Sequence, residues 1–161
     1  SNRWGYTLMK HRIFVYGTLR LGMYNYDLYL RDEDSFRSYA YIKGSLMTIL
    51  TKVYPAYLTE GHHMILGEIH EVDEETLKKI DKMEGYKGYN CIDNEYNKEI
   101  CPIYDDQGHE IEKLPVYVYN MDNEDNVLLL GDDIHCLDYV QYIQQKRDGK
   151  KSLFDFDSEE E

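Results

Sequence analysis

The chain has 161 residues, enough for one domain with a sizeable core, and its 42 % hydrophobic and 30 % charged content is that of a globular protein. A formal net charge of −13 argues against nucleic acid or an anionic membrane surface as a partner. No apolar run approaches the roughly 18 residues of a membrane-spanning helix. Three cysteines, Cys91, Cys101 and Cys136, show no pairing spacing and no CxxC, which favours a reducing, cytoplasmic setting.

In chain order, residues 1–8 lack the apolar core of a leader, and Met9-Lys10-His11 runs at once into a strand. On this reading 1–8 are an extension or cloning remnant, 9–149 a single domain and 150–161 an acidic tail. Residues 12–17 read as a short buried strand ending at Gly17. Residues 20–30 form a loop or short helix rich in tyrosine, and 38–50 a strand bent at Gly44. Tyr54-Pro55-Ala56-Tyr57-Leu58 reads as an edge strand or strand start, because Pro55 cannot donate to a ladder. Glu60-Gly61 marks a turn, and residues 65–72 a further strand.

The clearest helix spans Asp73 to Glu84. Asp73 suits the N-cap, Glu74 and Glu75 suit the positive helix end, and Gly85 supplies the stop. Leu77 and Ile80 form its inner stripe. Two strand pieces are expected within 86–104, then a hairpin turn at Asp105-Asp106-Gln107-Gly108 and an alternating strand at 114–119. Residues 120–126 read as a polar loop. Asp132 or Asp133 is expected to cap a last helix of about 14 residues that ends at Gly149-Lys150-Lys151. Phe154 and Phe156 could dock the tail. This order describes an α+β fold with most strands in one mixed sheet.

Two features carry chemistry. In Tyr16-Gly17-Thr18-Leu19 a strand runs into a turn whose successive backbone N–H groups can cradle an anion; a plain strand end with a turn glycine is the simpler reading. Glu84 continues the apolar stripe of the helix, four residues after Ile80. Burial there and the helix C-terminus both raise a carboxyl pKa, which suits proton transfer near neutrality, unless the side chain rotates to solvent. Asp81 reads as an exposed carboxylate capping a neighbouring loop. Tyr89, Tyr117 and Tyr119 could add hydroxyls to a pocket. Glu68 and His70 share a strand face, but two ligands do not make a metal site. Neither GxSxG nor HExxH occurs, His62-His63 lacks metal-ligand spacing, and Cys91 has no histidine near it in sequence to activate a thiol.

The set Phe14-Val15-Tyr16-Gly17-Thr18-Leu19-Arg20, Gly22, Tyr54-Pro55-Ala56, Gly67-Glu68-Ile69, and Ile80-Asp81-Lys82-Met83-Glu84-Gly85 followed by Tyr89 resembles the γ-glutamylcyclotransferase-like family. That family includes the plant AIG2-like proteins, γ-glutamylamine cyclotransferases and the butirosin-pathway enzyme. The resemblance covers about residues 10–145. It implies a mixed, partly closed β-barrel-like sheet with flanking helices, no cofactor, and release of 5-oxoproline from a small γ-glutamyl substrate. By the same resemblance Glu84 is the catalytic acid/base. Tyr16, Gly17, Thr18 and Leu19 hold the glutamyl end, joined by Tyr89 and by a strand tyrosine, Tyr119 before Tyr117. Many relatives carry Tyr-x-Arg where this chain has Tyr89-Asn90-Cys91. The alternatives are a non-catalytic module of the same fold binding a small acidic metabolite or peptide end, and an amide hydrolase using the same pocket. The loops at 22–37 and 120–131 are expected to shape the amine half of the site.

Overall fold

The computed structural model describes residues 9–160, with side chains as far as residue 150. The expected extension at 1–8 and the docking of Phe154 and Phe156 lie outside what is described. The elements run β1 (Lys10–Val15), α1 (Tyr24–Tyr29), β2 (Phe36–Ile49), β3 (Ala56–Asp73), α2 (Glu74–Met83), β4 (Tyr96–Tyr104), β5 (Glu110–Tyr119), α3 (Glu124–Leu129), β6 (Leu130–Asp133) and α4 (Tyr139–Glu160). Six strands form one sheet in the order β1-β3-β2-β4-β5, with β6 added to β2. The α+β class is as expected, but every pairing is antiparallel rather than mixed.

The ends of the strand path, β1 and β5, meet through side chains. Arg12 of β1 donates Nε to Glu112 Oε1 of β5 at 2.7 Å and Nη2 to Oε2 at 2.8 Å. Just beyond β1, the Tyr16 hydroxyl donates to the Tyr117 carbonyl at 2.6 Å. The sheet is therefore curled into a partly closed barrel held by a seam rather than by a ladder.

Strand alternation divides the interior in two. Phe14, Ile42, Ile65, Ile103 and Val116 fill one side, with the buried Tyr139 at the start of α4 packed against them. Ile13, Val15, Val72, Tyr96 and Tyr117 fill the other, where α2 inserts Ile80. Asp73 caps α2 by accepting from the Thr76 N–H at 2.8 Å. At the far end the Gly85 N–H reaches the Lys82 carbonyl and the Tyr86 N–H reaches Asp81. This pair of bonds is a Schellman motif, and Gly85 takes the left-handed φ of +67° that it requires.

Several expectations are corrected. The strands expected at 54–58 and 65–72 are one strand, β3. Its register against β2 jumps from Gly44↔His63 to Ser45↔Leu58, so Glu60-Gly61 forms a bulge. Only β4 occupies the stretch where two strand pieces were expected, because residues 85–95 close on themselves. Buried Asn94 accepts from the Lys87 N–H and donates to the Gly88 carbonyl. The polar loop at 120–126 runs into α3, capped by Asn123. Asp132 and Asp133 lie in β6, drawn onto β2 at Met47 and Ile49. Asp138 caps α4 instead, accepting from the Gln141 N–H. The helix does not stop at Gly149, and its backbone continues to Glu160.

Candidate active site

A cavity of about 190 Å³ opens where the C-terminal end of β1, the C-terminus of α2 and the start of β4 converge. The sequence builds each wall by local rules. β1 delivers Tyr16-Gly17-Thr18-Leu19 into a turn closed by the Arg20 N–H donating to the Gly17 carbonyl at 3.1 Å. Gly17 does not use a left-handed φ; a Cβ there would lie 3.1 Å from Cδ and Cγ of Pro55, so the glycine makes room for the proline wall. The N–H groups of Gly17, Thr18 and Leu19 meet no acceptor among the described residues.

A buried polar chain fixes this turn from behind. Arg20 donates Nε to Glu68 Oε2 at 2.9 Å and Nη1 to Asp138 Oδ1 at 2.6 Å. Glu68 Oε1 accepts from the Leu21 N–H at 2.9 Å. His70 Nε2 stands 2.9 Å from the same oxygen, and its Nδ1 is 2.8 Å from Ser35 Oγ. A carboxylate can only accept, so the Nε2–H donates to it, while Nδ1 pairs with the Ser35 hydroxyl. Glu68 and His70 thus share a face as scaffolding for the turn.

Opposite the turn stands Glu84, half-buried and lining the cavity. Burial pushes its carboxyl up to about 8, with Glu95 and then Asp81 adding in the same direction. Glu95 reaches the cavity because its N–H returns to the Gly85 carbonyl at 3.1 Å. Its carbonyl accepts from the Asn120 N–H and from Asn126 Nδ2. The stretch around 120–126 therefore anchors Glu95. Tyr54 donates to Glu95 Oε2 at 2.7 Å. Asn25, from α1, donates to Thr18 Oγ1 at 2.8 Å.

Of the residues expected at the site, Tyr16, Gly17, Thr18, Leu19 and Glu84 line one cavity. Tyr89 and Tyr119 do not. Tyr89 is 92 % exposed, carried outward by the loop at 85–95. Tyr119 is buried, with its hydroxyl donating to the Asn126 carbonyl at 2.9 Å. Their places are taken by Tyr96 and Tyr117. Tyr96-Asn97-Lys98 in β4 also carries the tyrosine-x-cation pattern that Tyr89-Asn90-Cys91 lacks. Lys98 Nζ holds Asp81 at 2.8 Å, and Tyr117 donates to the same carboxylate. Asp81 thus ties α2 to β4 and β5 rather than capping a loop. Cys91 lies at a separate depression beside Asn90 and Asn97. Glu95 and Asn25 carried no sequence signal, since neither lies on a periodic face or in a motif; Tyr54 stood in the Tyr54-Pro55-Ala56 motif but was read only as part of an edge strand or strand start. Among the described residues no cluster of His, Cys, Asp and Glu is arranged to hold a metal ion.

The arrangement sets backbone donors across a small, partly apolar cavity from a carboxyl that changes charge near neutral pH. It can hold an anionic or carbonyl group at one side and move a proton at the other. The sequence profile of the family described as gamma-glutamyl cyclotransferase, AIG2-like, matches residues 13–140. The γ-L-glutamyl-butirosin B γ-glutamyl cyclotransferase of Niallia circulans is 33 % identical over 141 residues, covering 88 % of this chain and 87 % of that protein. An AIG2-like protein from Mus musculus shares the fold with a TM-score of 0.58 at 23 % identity, over 81 % of this chain and 95 % of that one. An uncharacterised protein from Pyrococcus horikoshii does so with a TM-score of 0.57 at 22 % identity, over 85 % of this chain and 96 % of that one.

Proposed function

The chain belongs to the gamma-glutamyl cyclotransferase, AIG2-like family, and on that premise we propose that it releases 5-oxoproline from a γ-glutamyl amide. The observation that carries this reading is the facing of Glu84 and the 17–19 turn across one cavity. The substrate supplies its own nucleophile. Its α-amine attacks the γ-carbonyl, the new C–N bond closes a five-membered lactam, and the original amide C–N bond breaks to free the amine. One proton leaves the attacking nitrogen and one arrives on the departing nitrogen, so a single carboxyl can serve both transfers.

Glu84 is that carboxyl. Ionised, it takes the proton from the α-amine; protonated, it returns it to the leaving nitrogen. A pKa of about 8 keeps both forms accessible near neutrality. The N–H groups of the turn hold the glutamyl end and favour the negative charge that develops as the carbonyl is attacked. Because ring closure is intramolecular, holding the chain folded with amine and carbonyl in contact supplies much of the rate. The hydroxyls of Tyr16 and Tyr96 donate to the carbonyls of Tyr117 and Pro55, so they stiffen the walls rather than exchange protons.

The test is to incubate the protein with a panel of γ-glutamyl amides and follow 5-oxoproline and the freed amine. The reading requires both products in equal amounts. Free glutamate in place of 5-oxoproline would assign Glu84 to activating water. No product together with retained ligand binding would leave a binding module.

A further inference from the structure

The cavity at the end of α2 holds two carboxyls, Glu84 and Glu95, and no lysine, arginine or histidine lines it. Two like charges within about 190 Å³ oppose each other, so such a pair tends to share one proton. The surroundings of the two decide which one keeps it. The Tyr54 hydroxyl donates to Glu95 Oε2 at 2.7 Å. Glu84 has no such donor among the described residues, and only burial and neighbouring charge act on it. A donor favours negative charge on the carboxyl it meets. The charge therefore rests on Glu95 and the proton on Glu84.

The backbone pins Glu95 in this place. Its N–H returns to the carbonyl of Gly85, the residue after Glu84, at 3.1 Å, and its own carbonyl is held by the Asn120 N–H and by Asn126 Nδ2. A Cβ on Gly85 would come within 3.0 Å of Glu95 Cβ. Among the described residues the only side-chain partner of the Glu95 carboxyl is the Tyr54 hydroxyl. Asp81, the other carboxyl that acts on Glu84, differs, because Lys98 Nζ compensates it at 2.8 Å. The remaining titratable groups facing Glu84 are Tyr16 after β1, Tyr24 of α1, Tyr96 of β4 and Tyr117 of β5. Burial first, and the charge of Glu84 among the further causes, holds each above its ordinary 10, so all four stay neutral near pH 7. Among the described residues Glu95 is thus the uncompensated charge that bears on Glu84.

An amine of pKa about 8 exchanges its proton readily only with a base of similar strength. We propose that Glu95 is a positioning residue for turnover: held by Tyr54 and by the 120–126 stretch, its charge keeps the proton on Glu84 and makes Glu84 a base strong enough for that exchange. The role in turnover rests on the cyclotransferase reading of the cavity; the coupling of the two carboxyls does not.

The experiment titrates Glu84 directly, by carbon-13 NMR of the glutamate carboxyls in the full chain, its signal identified by loss in Glu84→Gln. In Glu95→Gln the midpoint of Glu84 should fall by about one pH unit, roughly a tenfold loss of proton affinity. In Tyr54→Phe, where Glu95 remains but its donor is gone, the two carboxyls compete and Glu84 should titrate in two steps. With a γ-glutamyl amide as substrate, the rise of kcat/KM with pH should move to lower pH by the same amount in Glu95→Gln, since the amine contributes equally in both chains. In that chain kcat should fall with KM little changed, and Glu95→Asp, which keeps the charge, should stay nearer the parent. A Glu84 midpoint unmoved in a folded Glu95→Gln chain, or a single unchanged step in Tyr54→Phe, would overturn the coupling. If Glu95→Gln does not fold, the Tyr54→Phe titration decides alone. A shifted midpoint with an unmoved rate profile, or a raised KM at unchanged kcat, would overturn the positioning role. A shifted midpoint with no 5-oxoproline from any chain would leave the coupling standing and fail the cyclotransferase reading, and with it the role in turnover.

Discussion

A carboxyl at the end of α2 that resists ionisation until about pH 8 gives the molecule two measurable signatures. The first is kinetic. On the proposed mechanism the base form of Glu84 takes the amine proton, so kcat/KM should rise through pH 7 to 9; an α-amine of pKa about 8 sharpens the same limb. Replacing Glu84 by Gln keeps shape and hydrogen bonding but removes proton transfer, and should lower kcat by about 10²–10⁴-fold. The second is thermodynamic. Relative to an ordinary glutamate near 4.5, the folded state holds this proton more tightly. The contribution is therefore fully present below pH 4.5 and is lost as pH rises through 8. Thermal melts of the Glu84→Gln chain should gain on the parent as pH climbs across that window; a constant difference would contradict a half-buried carboxyl held protonated to about pH 8.

At the level of the element, α2 presents Glu84 only because the chain turns sharply after it. Gly85 at φ +67° lets the Schellman bonds form, and a Cβ there would also meet Glu95 Cβ at 3.0 Å. Gly85→Ala should destabilise the fold by about 1–2 kcal/mol, visible as a lowered denaturant midpoint, and should impair turnover because Glu84 and Glu95 are joined through this residue. The helix was legible in the sequence because its devices are local: an Asp cap, an apolar stripe, a terminal glycine. The Tyr16–Leu19 turn was legible for the same reason. The tyrosines were not, because their placement is tertiary. Counting from Glu84 reaches Tyr89, but Asn94 knots the loop at 85–95 and the first tyrosine to return is Tyr96. Tyr117 and Tyr119 share a strand face by alternation, and only packing against α2 on one side and α3 on the other separates them. Glu95 had no signal at all: it comes to Glu84 through backbone bonds to Gly85 and Asn120 and a bond from the Asn126 side chain to its carbonyl.

At the scale of the whole molecule, burial decides which of the Arg12 and Arg20 ion-pair clusters matters more to the barrel. Arg12 clamps the β1–β5 seam to Glu71 and Glu112, but its side chain is 38 % exposed, so Arg12→Ala should cost no more than about 1 kcal/mol. The Arg20 side chain is 5 % exposed and its partner Glu68 is 1 % exposed. Arg20→Ala leaves the buried Glu68 without its guanidinium, with only His70 and the Leu21 N–H against its other oxygen, a loss of about 3 kcal/mol. Chemical denaturation of the two variants should separate them by several-fold in ΔΔG; equal losses would mean that the turn is not held from behind. On the proposed function this frame keeps the 17–19 amides and Glu84 on one cavity, and one measurement tests that reading most directly. Mass spectrometry of a γ-glutamyl amide panel, run side by side with the parent chain and Glu84→Gln, reads both the product and the residue that makes it. The account predicts 5-oxoproline and free amine from the parent and a loss of at least about 10²-fold in the variant; 5-oxoproline formed equally by both chains would contradict it.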